Sequence, residues 1–147
     1  MNVAYINKEK YEVENFKYLC QDLEEIDNLE CFTDREEFLI YIKNNNVKLV
    51  FLDTDWELFE KIKEIDERIA ISILTSDKKQ SMRAFEVGVF GYNLKPYTSG
   101  DIQKVVVRLK NIIDNRKIKD VRIRAFGRFD IFVDGKALYF SNKKAKE

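Results

Sequence analysis

Along the chain, apolar runs of strand length alternate with segments whose apolar positions recur every three or four residues. Residues 2–6 (NVAYI) form a continuous apolar run ending at Asn7-Lys8-Glu9, as a strand buried on both faces would. From Tyr11 to Ile26, Val13, Phe16, Cys20 and Leu23 fall at helical spacing with acidic residues opposite them, which predicts an amphipathic helix. Leu29 to Phe32 reads as a second strand, and Thr33 with Glu36 as a capping box opening a helix that buries Phe38, Leu39 and Ile42 and ends at Asn44-Asn45-Asn46. Lys48 to Asp53 (KLVFLD) is the strongest strand signal, followed by a helix carrying Leu58, Ile62 and Ile65. Ile69 to Leu74 repeats the pattern. Thr75, Ser76 or Asp77 caps a helix with Met82 and Phe85, and Gly88 is suited to a left-handed C-cap. Val89 to Leu94 is the fifth strand. After Lys95-Pro96, Thr98 or Ser99 caps a long helix with Ile102, Val105, Val106, Leu109, Ile112 and Ile113 along one side.

Five β-α units in strict alternation predict an α/β fold, a five-stranded doubly wound parallel sheet with helices on both faces and right-handed crossovers. In such sheets ligands gather at the carboxyl ends of the strands, near the point where strand order reverses. Those ends carry Asn7, Lys8, Asp53, Thr75 and Lys95.

From Val121 the period changes to two. Val121, Ile123 and Ala125 alternate with Arg122, Arg124 and Phe126, and Phe129 to Val133 leads into Asp134-Gly135, a hairpin signal with Ala137 to Phe140 as the returning strand. Ser141-Asn142 is placed to cap a further helix starting at Lys143. The expected organisation is a first domain over residues 1–115, a linker over 116–120, and over 121–147 the antiparallel hairpin of a second, incomplete domain. Charge follows the same division: residues 116–147 hold ten Lys/Arg against four Asp/Glu, whereas the chain as a whole is neutral. All five glycines, Gly88, Gly91, Gly100, Gly127 and Gly135, fall late in the chain.

Composition narrows the chemistry. The 147 residues are 45% apolar and 35% charged with a single proline, enough to bury a core and unlike a Pro-rich disordered chain. There is no histidine, which excludes a Ser-His-Asp triad, a histidine metal site and an imidazole base. Cys20 and Cys31 lie on apolar segments without a partner motif and read as small core residues. No run approaches 18 uncharged apolar residues and residues 1–10 lack a signal-peptide pattern, so the expectation is a cytoplasmic protein with no membrane partner.

One set of strand-end residues is chemically complementary. A carboxylate (Asp53) can accept a phosphoryl group, a hydroxyl (Thr75) can hydrogen-bond it, and an ammonium (Lys95) can neutralise a phosphate oxygen. With LVFLD, SILTS and AFEVGVFGYNLKP in that order, residues 1 to about 115 resemble the receiver domain of two-component response regulators. The resemblance implies Asp53 as phosphoacceptor, Thr75 as switch hydroxyl, Tyr92 as switch aromatic, Lys95 as the family's lysine, and no enzymatic turnover. Read singly, Asp53 is as readily a helix cap, Thr75 more readily one, Tyr92 a core residue and Lys95 a loop residue. Trp56, the only tryptophan, reads as a shield over a helix joint.

The sequence departs from the family at two places. Where an acidic pair would hold Mg2+ stand Asn7 and Lys8, with Glu9 one place later, and a lysine there opposes the ion. Asp53 is followed by Thr54-Asp55-Trp56-Glu57 and passes almost directly into a helix. The expectation is an atypical receiver in which Lys8 pairs with Asp53 in place of a metal; no cofactor is required, and Mg2+ enters only if phosphorylation is retained, with Asp53, Asp55 or Glu9 as its oxygen ligands. The resemblance further implies a sensor histidine kinase as partner and a homodimer formed through residues 78–87 and 101–113. A phosphorylation-independent interaction scaffold is the alternative. Asp53-Thr54-Asp55 also matches half of the nucleophile motif of haloacid-dehalogenase-like phosphatases, but Glu57 and the lack of an acidic pair after Lys95 depart from it. Residues 121–147 resemble the start of a winged-helix DNA-binding domain of the antibiotic-regulatory-protein type, which implies transcriptional regulation, with DNA bound only by the complete effector.

Overall fold

A computed structural model describes residues 1–126, 131–133 and 136–138, with side chains described as far as Lys117. Two compact units divide the chain, residues 1–108 and 109–147.

The first unit holds five strands, β1 (Asn2–Ile6), β2 (Asn28–Phe32), β3 (Leu49–Leu52), β4 (Ala70–Thr75) and β5 (Gly91–Leu94), all parallel in the order β2-β1-β3-β4-β5. Between them run α1 (Lys10–Cys20), α2 (Arg35–Asn44), α3 (Trp56–Ile65) and, after a short 3-10 turn over Lys78–Gln80, α4 (Ser81–Val87); α5 (Ser99–Phe126) follows β5. The doubly wound sheet is therefore as the alternation predicts. Period two within the strands divides the core into two layers. Ala4, Ile6, Val50, Leu52, Ile71 and Ile73 form one cluster with Phe38, Ile42, Leu58 and Ile62 of α2 and α3. Tyr5 and Phe51 point the other way, Tyr5 stacked on Phe16 of α1 with ring centroids 4.1 Å apart and Phe51 at 5.1 Å from the same ring. Phe16 is fully buried; truncating such a ring costs about 3–5 kcal/mol.

Local chemistry moves several boundaries. α1 stops at Cys20 rather than Ile26, because Asp22, Glu24 and Glu25 would place negative charge at the negative end of the helix dipole. α2 is capped by Asp34, whose carboxylate accepts the Glu37 N–H at 2.9 Å, not by Thr33; the carboxylate stands one residue nearer the helix, at the position from which it reaches the free N–H. Asp77 caps the 3-10 turn, and Gly88 takes the left-handed conformation (φ 77°) that closes α4. Within α4 only Ala84 is buried, so Met82 and Phe85 face outward. Thr98 opens α5 through a reciprocal pair: its Oγ1 accepts the Asp101 N–H and Asp101 Oδ2 accepts the Thr98 N–H.

α5 runs on to Phe126, so Val121 to Phe126 is helix rather than strand and residues 116–120 lie within that helix. No proline or glycine interrupts the sequence between Gly100 and Gly127, and extending a formed helix adds one hydrogen bond for each residue ordered. In the second unit, Ile131–Val133 pairs antiparallel with Lys136–Leu138, as the hairpin reading requires. Gly127, Phe129, Asp130, the Asp134-Gly135 turn, Tyr139, Phe140, the Ser141-Asn142 cap and the helix expected from Lys143 lie outside the described residues. Among the described residues, no helix is long and apolar enough to cross a membrane.

Candidate functional site

Strand order reverses between β1 and β3, and their carboxyl ends open a crevice there. It is an open cleft of about 700 Å³ whose lining includes Asn7, Lys8, Asp53, Asp55, Trp56 and Thr75. The fold thus gathers residues as far apart as Asn7 and Thr75 at one rim, because every parallel strand delivers its last side chain to the same edge.

Asp53 stands just past β3. Its Oδ1 accepts the Thr54 N–H at 2.6 Å and the Thr54 hydroxyl at 3.2 Å; its Oδ2 accepts from Lys95 Nζ at 3.1 Å. Burial raises the Asp53 pKa, but the Thr54 N–H, Lys95 and the Thr75 hydroxyl together outweigh it and hold the carboxyl below its ordinary value. Lys95 Nζ also donates to Glu12 Oε2 at 2.9 Å, so one ammonium serves two carboxylates. Burial works against the Lys95 charge, yet the bonds to Glu12 and Asp53 keep its pKa above the usual lysine value. Position comes from the backbone: the Lys95 N–H donates to the Thr75 carbonyl at 2.8 Å, extending the β4-β5 ladder to the rim.

Thr75 is buried, and its Oγ1 accepts the Asp77 N–H at 3.1 Å. Tyr92 packs against the core cluster and donates its hydroxyl to the Asp77 carbonyl at 3.0 Å. Thr75 and Tyr92 therefore meet on one residue, Asp77.

The pairing expected of Lys8 is taken by Lys95. Lys8 is exposed and, among the described residues, has no ion-pair partner, because the chain leaves the rim in a turn in which Asn7 Oδ1 accepts the Glu9 N–H at 2.9 Å. Glu9 is the exposed N-cap residue of α1, and its side chain caps nothing.

The donors do not make a Mg2+ site, which calls for hard oxygens in near-octahedral array, commonly with one or two carboxylates. Asp55 Oδ1 caps α3 by accepting the Leu58 N–H at 3.0 Å, and its Oδ2 accepts from Arg35 at 2.6 Å; Arg35 also reaches Glu57 at 2.9 Å. Asn7 has committed its amide oxygen and Lys8 brings an ammonium. Of the expected metal ligands Asp53, Asp55 and Glu9, only Asp53 keeps a carboxylate at the strand-end rim without a guanidinium against it, and Lys95 already holds that one.

Glu12 and Arg35 were not legible as site residues. Glu12 lies in the first turn of α1, where a side chain overhangs the rim, and that position is the signal available; Arg35 is one more basic residue at a helix start until the fold sets α2 beside the β3-α3 loop. Cys20 is a core residue as read, whereas Cys31, on the edge strand β2, is only half-buried; burial pushes the Cys20 thiol up to about 12 and the Cys31 thiol up to about 11, which disfavours both thiolates.

No model of a known protein family matches the chain. It is 27% identical over 129 residues, 84% of its length, to the sensory transduction protein LytR of Staphylococcus epidermidis, covering 51% of that protein. It is 24% identical over 116 residues, 75% of its length, to the transcriptional regulatory protein YpdB of Escherichia coli, covering 48% of it. The chain therefore spans about half the length of these curated relatives. Among solved structures, the response regulatory domain of mrkE from Klebsiella pneumoniae superposes with a TM-score of 0.68 at 23% identity, over 78% of this chain and 99% of that one.

Proposed function

From the premise that residues 1–108 fold as a response-regulator receiver domain, we propose that the chain is the signal-receiving part of a DNA-binding transcription regulator in which Mg2+-dependent phosphorylation of Asp53 is lost. The observation that carries this reading is the charge arrangement of the cleft. Lys95 is paired with both Asp53 and Glu12, Arg35 is paired with both Asp55 and Glu57, and Asn7-Lys8 occupies the place of an acidic pair. Phosphoryl transfer to a carboxylate needs a cation on the transferred group's oxygens and an exposed attacking oxygen. Here the cations are supplied by the chain itself and are spent on its own carboxylates.

A receiver so arranged is switched by what binds it rather than by a covalent phosphate. The exposed Met82 and Phe85 of α4 offer the surface for a second copy or a regulatory protein, within the 78–87 stretch of the expected dimer. DNA contact is assigned, on this reading, to the side of the second unit. Transcription regulation accords with the YpdB relative, and turnover as a phosphatase finds no support in the arrangement, because Asp55, which such an enzyme would need free as its acid, caps α3 and pairs with Arg35.

The test is intact mass after incubation with acetyl phosphate and Mg2+, comparing the parent chain with Asp53→Asn beside an ordinary receiver as positive control. The expected result is no adduct on either form of this chain. A phosphoryl adduct on the parent and not on Asp53→Asn would overturn the proposal.

A further inference from the structure

Trp56 opens α3 and lines the cleft, yet its contacts point away from it. Its indole Nε1 donates to Gln80 Oε1 at 2.9 Å, at the end of the 3-10 turn preceding α4. The Arg83 guanidinium of α4 sits 5.5 Å from the centre of its ring, a cation-π distance, and Phe59 meets it edge-on at 5.9 Å. Gln80 in turn donates through Nε2 to Asp77 Oδ2 at 3.1 Å, and Asp77 is the residue on which Thr75 and Tyr92 meet. On the cleft side, Asp55, the residue before Trp56, is gripped by Arg35. Contiguous bonds therefore run from Arg35 through the start of α3 to the 78–83 segment.

α4 has little else to hold it. Of its seven residues only Ala84 is buried, while Met82 is 68% and Phe85 83% exposed. Elements with few buried apolar contacts open first, and lateral ties decide how often.

We propose that Trp56 is a latch that fastens the 78–87 segment to the cleft, so that a change at the Arg35-Asp55 pair is felt at the outward face of α4. Only the statement that this face is the output surface rests on the receiver reading; the latch is a property of the bonds. When the Asp55 end of α3 shifts, the indole moves with it, and the bond to Gln80 and the stack under Arg83 loosen together. Nothing covalent is required, and without the indole Gln80 keeps only its bonds to Asp77 while Arg83 loses the ring it lies against.

Hydrogen exchange read by mass spectrometry on the intact chain tests it. Trp56→Phe removes the N–H donor while keeping an aromatic core face, and Gln80→Leu removes the acceptor together with the Gln80 side-chain bond to Asp77. Each is expected to accelerate exchange of amides in 78–87 by about 5-fold to 10-fold, the amount for losing a hydrogen bond of about 1 kcal/mol or slightly more, with the β1 and β3 amides unchanged. Arg35→Ala is expected to accelerate the same amides in the parent and to add little in the Trp56→Phe background, because its effect passes through the indole. Unchanged exchange in 78–87 for both Trp56→Phe and Gln80→Leu, or an Arg35→Ala effect of equal size in the two backgrounds, would overturn the latch. The assay uses no phosphodonor, so its outcome is independent of the acetyl phosphate result.

Discussion

Replacing Lys95 by Met keeps most of the side chain's length and removes its charge, leaving Asp53 and Glu12 facing each other without a cation. Each of the two ion pairs, at 3.1 and 2.9 Å, is worth about 5 kcal/mol as raw attraction at an effective dielectric near 20. Much of this is offset by desolvation and by solvent screening. The side chains of Lys95 and Glu12 are 20% and 17% exposed and that of Asp53 is 41% exposed, which places the network between surface pairs, worth about 0–1 kcal/mol, and buried ones, whose disruption costs about 3–5. The expected loss is about 2 kcal/mol at pH 7, or roughly 6–10 °C in Tm for a domain of this size. Urea unfolding followed by Trp56 fluorescence and by circular dichroism measures it. The pH profile separates charge from packing. Asp53 has a folded pKa below its ordinary value, so its contribution is complete above the unfolded carboxylate pKa and is lost as pH falls through the lowered one. Lys95 has a raised folded pKa, so its contribution is complete below the unfolded lysine pKa and is lost as pH rises through the raised one. The gap between parent and Lys95→Met should therefore be widest from about pH 5 to 10 and narrow at both ends. Glu12→Gln added to Lys95→Met should return part of the loss by removing the repulsion. A gap below about 0.5 kcal/mol at pH 7, or one that stays constant into strong acid, would refute an electrostatic network and leave Lys95 a packing residue.

Two further perturbations test the scaffold that holds the site. Gly91→Ala would put a Cβ 2.5 Å from Ser72 Oγ and 3.1 Å from Val105 Cγ2, and should cost about 1–3 kcal/mol in chemical denaturation; Ser72→Ala, which deletes a buried hydroxyl that has no hydrogen-bond partner among the described residues, should recover part of that in the double variant. Asp34→Ala should lower stability by about 1 kcal/mol whereas Thr33→Ala should be nearly neutral, and equal losses from the two would contradict the Asp34 cap.

Period and punctuation made most of the fold legible. Val3, Tyr5 and their alternating neighbours, the apolar run of residues 49–52 and the helical stripe of α3 each announce an element within a window of ten residues, since burial and backbone hydrogen bonding both act at that range. The strand-end residues Asp53, Thr75 and Lys95 were legible for the same reason, because β-α alternation alone sends them to one rim. Where the reading went astray, a local signal was outweighed by a neighbouring one: acidic residues ended α1 early, Asp34 took the cap from Thr33, and an unbroken helix overran the period-two stretch at Val121 to Phe126.

The parallel sheet and the identity of the groups at its edge were set by pattern alone, because both follow from short-range periodicity and from a fold rule that needs no knowledge of contacts. Which charges meet was settled by the folded arrangement. Lys95 and Glu12 are 83 residues apart, Arg35 and Asp55 20 apart, and Trp56 and Gln80 24 apart. Ion pairs and hydrogen bonds act over about 3 Å, and nothing in the sequence spacing of two such residues says whether they come that close. That choice gave Asp53 to Lys95 instead of Lys8, spent Asp55 on Arg35, and tied the cleft to α4 through one indole.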